Sequence, residues 1–290
     1  MNYLWTVQRQ YFYTAVFIII RLFFPDITFG TEEDSLLSAL KNAGHDTSRI
    51  SNYLQLGDAI RSADKDSAMY YYNTALQLAE KGARNDAAGR ERYLLLQASA
   101  RRSKGLVFYL KGENEKALDH FQLALKIFRG LNDSKNKAIS TEGKRGMAKC
   151  YGNFGAVYKD QAKYADALEY IDKSIKIATE ILDRKTMSVA YNNKGIIFYY
   201  LGDFEESVKN YKLAVRFFKE TGDLKSMAAA LANIGLVYTA QGLYVSSVES
   251  YLQSLKVLEE MDDQNGISSC YNNIGIVYYE QKSYSKALEY

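Results

Sequence analysis

Tyr191–Ala214 reads YNNKGIIFYYLGDFEESVKNYKLA, and its skeleton returns at a fixed offset of 40 residues. Gly155, Gly195, Gly235 and Gly275 are in register, as are Asn153, Asn193, Asn233 and Asn273. Three residues after each glycine comes an aromatic ring, Tyr158, Phe198, Tyr238 or Tyr278. Twelve after it comes a small residue, Ala167, Ser207, Ser247 or Ala287. A constant period of this size, held through two helices' worth of sequence, marks a stacked array of units.

The spacing within one unit explains itself. Tyr191, Gly195 and Phe198 fall on one face of a first helix. Gly202 and Asp203 break that helix and offer an N-cap, and Glu206 stands where it would complete a capping box. Phe204, Ser207, Val208, Tyr211, Ala214, Val215 and Phe218 mark the buried stripe of a second helix. A glycine inside a helix costs about 1 kcal/mol against alanine. Its recurrence therefore calls for close helix approach, and the expectation is that it faces the small residue twelve positions later. Each helix pair needs the next to cover its apolar face.

These residues resemble the tetratricopeptide repeat family. Tyr151, Phe154, Gly155, Tyr158 and Ala167 carry its pattern in one unit, and Tyr271, Ile274, Gly275, Tyr278 and Ala287 in another. Lys194 departs from the usual apolar residue, Ser207 and Ser247 replace alanine, and the closing proline is missing throughout. The resemblance implies an all-α fold, a right-handed α-solenoid of antiparallel helix pairs. Its 40-residue period resembles the long-period subgroup found in bacterial signalling regulators and in animal polarity and motor-cargo adaptors. It covers residues 49–290, with units near 49–82, 90–130, 147–182, 187–222, 227–262 and 267–290.

Of the 290 residues, 24% are charged, for a net charge of +3, and the one proline is Pro25. Residues 1–30 differ from the rest: Arg9 in a polar lead, then YFYTAVFIIIRLFF, Pro25, and Thr28 and Gly30 at the positions a signal peptidase reads. The apolar run, with Arg21 inside it, is short of the ~20 residues a membrane span needs. A secretory signal peptide is expected, the alternatives being an N-terminal membrane anchor or a buried first helix. Its removal leaves +2. Cys150 and Cys270 occupy the same register three units apart, too far for a disulfide, and are expected to be small core residues.

Residues 31–48 read as a short capping helix whose Leu36, Leu37 and Leu40 cover the open end of the array. DSLL, DT and DSAMYYYNTAL resemble the exported sensor part of bacterial tetratricopeptide signalling proteins, in which an output domain follows the array. The second unit centres on Gly105, Phe108, Ala117, Phe121 and Ala124. From Ala117 to Ala167 is 50 residues, so ten extra ones sit in LNDSKNKAISTEGKRGM, either lengthening the helices or forming a loop. Residues 101–149 carry a local +7, against −4 elsewhere. That charge is either a set of solvated faces or a docking patch for an acidic partner. The chain stops at KALEY, partway through a second helix, which leads to the expectation of a fragment or a truncated copy.

No catalytic constellation emerges. His45 and His120 lie far apart without metal-ligand spacing and are expected on the surface. EGKRG lacks the glycine and hydroxyl of a phosphate loop, and MDDQNG places Met261 at the first calcium-ligand position. Neither catalysis, nor a cofactor, metal or nucleic acid is expected.

What remains is the inner wall. In a right-handed stack the first helices line the concave side, where Asn153, Asn193, Asn233 and Asn273 would form a ladder of amides. Each offers a donor and an acceptor to an extended backbone. In the adaptors that the chain resembles, such asparagines contact bound peptides; the alternative is that they bond to neighbouring helices and fix superhelical geometry. Asn192 and Asn272 lie beside the ladder, and Ile196, Tyr199, Tyr200, Leu236, Ile276 and Tyr279 would border it. The positions that grip a carboxylate in a better-known subgroup hold Gly152, Asn192, Ala232 and Asn272, and Ala156, Ile196, Leu236 and Ile276, so that specificity is not expected. The leading expectation is a non-catalytic protein- or peptide-binding scaffold, the exported sensing segment of a signalling regulator, touching a membrane only through residues 1–30 or a region beyond 290. The alternatives are a cytoplasmic regulator docking onto a kinase or response regulator, and a segment of a longer enzyme with a histidine kinase, cyclase or DNA-binding output domain.

Overall fold

In the computed structural model, which describes residues 31–41 and 43–290, each period folds as two helices joined by a tight turn. The helices are α1 (Thr31–Lys41), α2 (Asp46–Ile60), α3 (Lys65–Asn85), α4 (Arg90–Leu110), α5 (Asn114–Leu131), α6 (Lys137–Asp160) and α7 (Tyr164–Glu180). They continue as α8 (Arg184–Tyr200), α9 (Phe204–Thr221), α10 (Leu224–Ala240), α11 (Tyr244–Glu260), α12 (Gln264–Glu280) and α13 (Tyr284–Glu289). Each helix packs mainly on the one before and the one after it, the arrangement of a helical-repeat solenoid. Residues 1–30, with the expected signal peptide, lie outside the described residues. No helix among the described residues is long and apolar enough to cross a membrane.

The turns repeat as strictly as the helices. Ala162, Gly202, Gly242 and Lys282 all have positive φ, between 56° and 76°. In each turn a backbone N–H reaches back five residues to the registered aromatic, as in Asp203 to the Phe198 carbonyl at 3.0 Å and Leu243 to that of Tyr238 at 2.9 Å. This left-handed closure satisfies carbonyls that the helix end would orphan. Asp203 caps α9 by accepting from the Glu206 N–H at 3.1 Å. The reciprocal half of the expected capping box is not formed: the Glu206 carboxylate instead accepts from Lys209 at 2.5 Å and Asn210 at 3.3 Å.

The registered glycines do mark close approach, but chiefly to a different partner. A Cβ on Gly195 would lie 2.8 Å from the Tyr211 ring, one on Gly235 3.0 Å from the Tyr251 ring, and one on Gly155 2.7 Å from Ile171. The large side chain sixteen residues on fills the space; the residue twelve on contributes its carbonyl, 3.2 Å away at Gly155. The two serines are functional replacements for alanine. Ser207 and Ser247 donate to the carbonyls of Gly195 and Gly235 at 2.8 and 2.9 Å, so their buried hydroxyls are satisfied.

The ten extra residues lengthen a helix. α6 has 24 residues and α4 has 21, against 17 in the first helices α8, α10 and α12. Asn136 caps the longer α6 through the N–H groups of Ala138 and Ile139. Cys150 and Cys270 are buried, unbridged core residues, and burial pushes the Cys150 thiol up to about 12. His45 is exposed as expected, whereas His120 is half-buried, stacked on Phe108 with centroids 5.2 Å apart, and its Nδ1 has no partner.

Candidate partner-binding groove

First helices of successive units approach one another: α2 meets α4, α4 meets α6, and α6 meets α8, while no comparable approach joins second helices among the described residues. From α2 to α8 the first helices therefore line the inside of the curve. On α6, α8, α10 and α12 one stripe stays open. Lys149, Val189, Ala229 and Ser269 are exposed; one turn on, at helical spacing, come the half-buried Asn153, Asn193, Asn233 and Asn273. Leu236 and Ile276 continue the stripe, at 44% and 47% exposure, with Ile196 half-buried.

None of the four asparagine amides takes part in a hydrogen bond among the described residues, and the Asn153 Nδ2 is buried without a partner. A buried N–H₂ left unpaired costs on the order of 1–3 kcal/mol. Asn192 is half-buried and Asn272 exposed beside the ladder. The aromatic residues are distributed differently. Tyr199 packs into its own unit's core against Phe204, centroids 5.9 Å apart, whereas Tyr200 and Tyr279 are 59% and 61% exposed at the ends of α8 and α12. Tyr200 stacks on Tyr164 of the preceding unit at 5.9 Å, and Tyr279 meets Tyr284 edge-on at 5.5 Å.

A cleft of about 250 Å³ opens where the lengthened α4 and α6 run side by side. Leu95 and Leu96 lie on one wall and Phe128 of α5 forms the floor. Gly146 permits that floor, since a Cβ there would lie 2.4 Å from the Phe128 ring. Arg92, Arg102, Arg145 and Lys149 line it against one carboxylate, Glu142. Arg145 is engaged, with Glu142 and with Asp183 Oδ2 at 3.0 Å. Asp183 also caps α8 through the Thr186 N–H and hydroxyl; burial would raise its pKa, but those bonds and Arg145 hold it below the usual carboxylate range. Charge counting placed Arg102, Arg145 and Lys149 in a basic segment, but the juxtaposition with Arg92 and the apolar floor needed the fold.

The sequence profile of the tetratricopeptide repeat matches residues 146–220 and 226–290, the units whose helix pairs, turns and glycine contacts repeat most strictly. This chain is a tetratricopeptide repeat protein. No curated protein matches it in sequence. Among solved structures, the repeat protein is similar to BtubC from P. vanneervenii (16% identity, TM-score 0.63, 76% of this chain and 85% of that one). It is also similar to a signal transduction ATPase with numerous domains from Pyrococcus horikoshii, a protein with a tetratricopeptide repeat sensor (18% identity, TM-score 0.60, 93% of this chain), of which it spans 41%. Aspartyl phosphate phosphatase F from Bacillus subtilis is a third (14% identity, TM-score 0.57, 88% of this chain and 72% of that one). At these identities the likeness is one of fold.

Proposed function

We propose that this repeat protein is a non-catalytic scaffold whose inner wall takes an extended segment of a protein partner, acting as the exported sensing part of a signalling regulator. The observation that carries the reading is the row of four registered asparagines whose amides have no partner among the described residues. Backbone groups of an extended segment are the complement such amides lack. The sensing role is supported by the fold shared with the Pyrococcus horikoshii protein, which has a tetratricopeptide repeat sensor. Export rests on the pattern of residues 1–30.

In pull-downs with the purified chain, Asn193→Ala combined with Asn233→Ala abolishes capture of the partner while helicity by circular dichroism is unchanged; undiminished capture would move the site elsewhere. Mass spectrometry of the mature amino terminus tests export, which requires a start near Thr31. A second reading, a cytoplasmic regulator that docks onto a response regulator or kinase, draws on the fold shared with the aspartyl phosphate phosphatase. An intact Met1 on the functional protein would favour it.

A further inference from the structure

The cations of the basic segment are not equivalent. Lys144 pairs with Glu180, Lys116 with Glu113 at 2.5 Å, Arg101 with Glu80 at 2.7 Å and Arg145 with Asp183 at 3.0 Å. The Lys116 pair is local to the start of α5, and the other three tie one helix to another. Arg92, Arg102 and Lys149 make no ion pair or side-chain hydrogen bond among the described residues, and all three line the single cleft between α4 and α6. Like charges gathered on one concave wall repel, and the carboxylates nearest them, Glu142 in the lining and Asp183, are both already engaged by Arg145. Beneath them lie Leu95, Leu96 and the Phe128 ring.

We propose that this cleft is the anchor point of the partner segment, and that the segment is acidic, with carboxylates flanking one apolar side chain. Guanidinium groups grip carboxylates through paired, charge-assisted bonds. A volume of about 250 Å³ accommodates one leucine-sized side chain over the floor, with its acidic neighbours against the three cations. The cleft continues into the asparagine row: Lys149 and Asn153 are one turn apart on the same face of α6. A segment anchored at Lys149 therefore runs directly onto the ladder. The inference rests on the inner wall being a partner groove, and it adds the partner's charge and the place where its register is set. The gripping residues stand at different positions from those of the carboxylate-binding repeats, and the ligand is an internal segment, so a free carboxy terminus is not required.

The test uses the full chain and a fluorescein-labelled, carboxy-amidated peptide of sequence Gly-Asp-Glu-Leu-Asp-Glu-Gly, read by fluorescence anisotropy. Two comparison peptides replace the acids by lysine or the leucine by serine. The acidic peptide binds more tightly than either, and Arg102→Gln with Lys149→Gln weakens it by about tenfold or more. Lys126→Gln with Lys135→Gln, exposed positions outside the cleft, removes the same charge and leaves binding unchanged. Equal binding of the lysine peptide, an unaffected cleft variant, or equal weakening by the control pair overturns the proposal. So does displacement of the peptide by a single-stranded oligonucleotide at matching concentration, which would assign the cations to phosphate. The Asn193→Ala, Asn233→Ala variant is measured alongside. Peptide binding lost in the cleft variant but kept in the asparagine variant preserves the cleft and removes the ladder; the converse preserves the ladder and removes the cleft.

Discussion

At the scale of single residues, the two kinds of helical glycine carry opposite expectations. Gly195 abuts the Tyr211 ring, so Gly195→Ala forces a buried ring aside and destabilises by about 1–3 kcal/mol. A Cβ on Gly152, three residues before Gly155, meets only Ser174 Oγ at 3.6 Å, an ordinary contact. Gly152→Ala therefore gains up to about 1 kcal/mol from helix propensity. Urea denaturation of the two variants separates them by sign. His120 supplies a pH dependence. Burial, then Lys104 and Arg101, push its pKa down to about 4 from 6.5, with Asp119 opposing. The unfolded chain therefore binds the proton first, and the stability contributed by neutral His120 is full above pH 6.5 and lost as pH falls toward 4. His120→Phe, which keeps the stack on Phe108, flattens the change in urea midpoint between pH 7 and pH 5. The registered glycines were legible in the sequence because they recur at one spacing. Their true neighbours were not, because Tyr211 and Ser207 both lie on the face of α9 that meets α8, and only the side-chain directions decide between them. The turn geometry was legible at Gly202 and hidden at Ala162 and Lys282, where ordinary residues adopt the same left-handed backbone.

At the scale of elements, one carboxylate at the junction of α6, α7 and α8 serves two elements at once. Asp183 satisfies the first turn of α8 and accepts from Arg145 of α6, so a single side chain both starts a helix and ties two units together. Asp183→Ala loses the cap and leaves Arg145 with Glu142 alone, a cost of about 1–2 kcal/mol in the urea midpoint. Asp223 also caps, through the Ser226 N–H at 3.1 Å, but no ion pair is formed by it among the described residues. Asp223→Ala therefore loses the smaller amount. The lengthening of α6 could not be read in advance, since LNDSKNKAISTEGKRGM carries polar residues that suit a loop or an exposed helix end equally well. Its outcome depended on Gly143 and Gly146 lying flat against Leu131 and Phe128, a contact between segments that no local pattern encodes. The same holds for the cleft. The basic stretch was visible in composition, but which cations stay unpaired is settled by partners such as Glu180 and Asp183, 36 and 38 residues away.

At the scale of the whole molecule, cohesion passes from neighbour to neighbour, and damage should stay local. Phe217 is buried with Ala148, Ala178 and Met187, and its ring carries Arg216 at 4.6 Å. Phe217→Ala costs about 3–5 kcal/mol. In a linear array that loss loosens the units that share the ring and spares distant ones. Hydrogen exchange followed by mass spectrometry should show faster exchange in α6 to α9 and unchanged protection in α2 and α3; uniform loss would mean that the rod melts as one body.

The inner helices brace one another from α2 to α8, and beyond α8 that bracing thins. A rod built this way has one stiff arm and one compliant arm. Tension on its ends is taken up by the compliant arm, while the stiff one keeps its curvature, so a long ligand held as proposed would meet a rigid seat first and a spring afterwards.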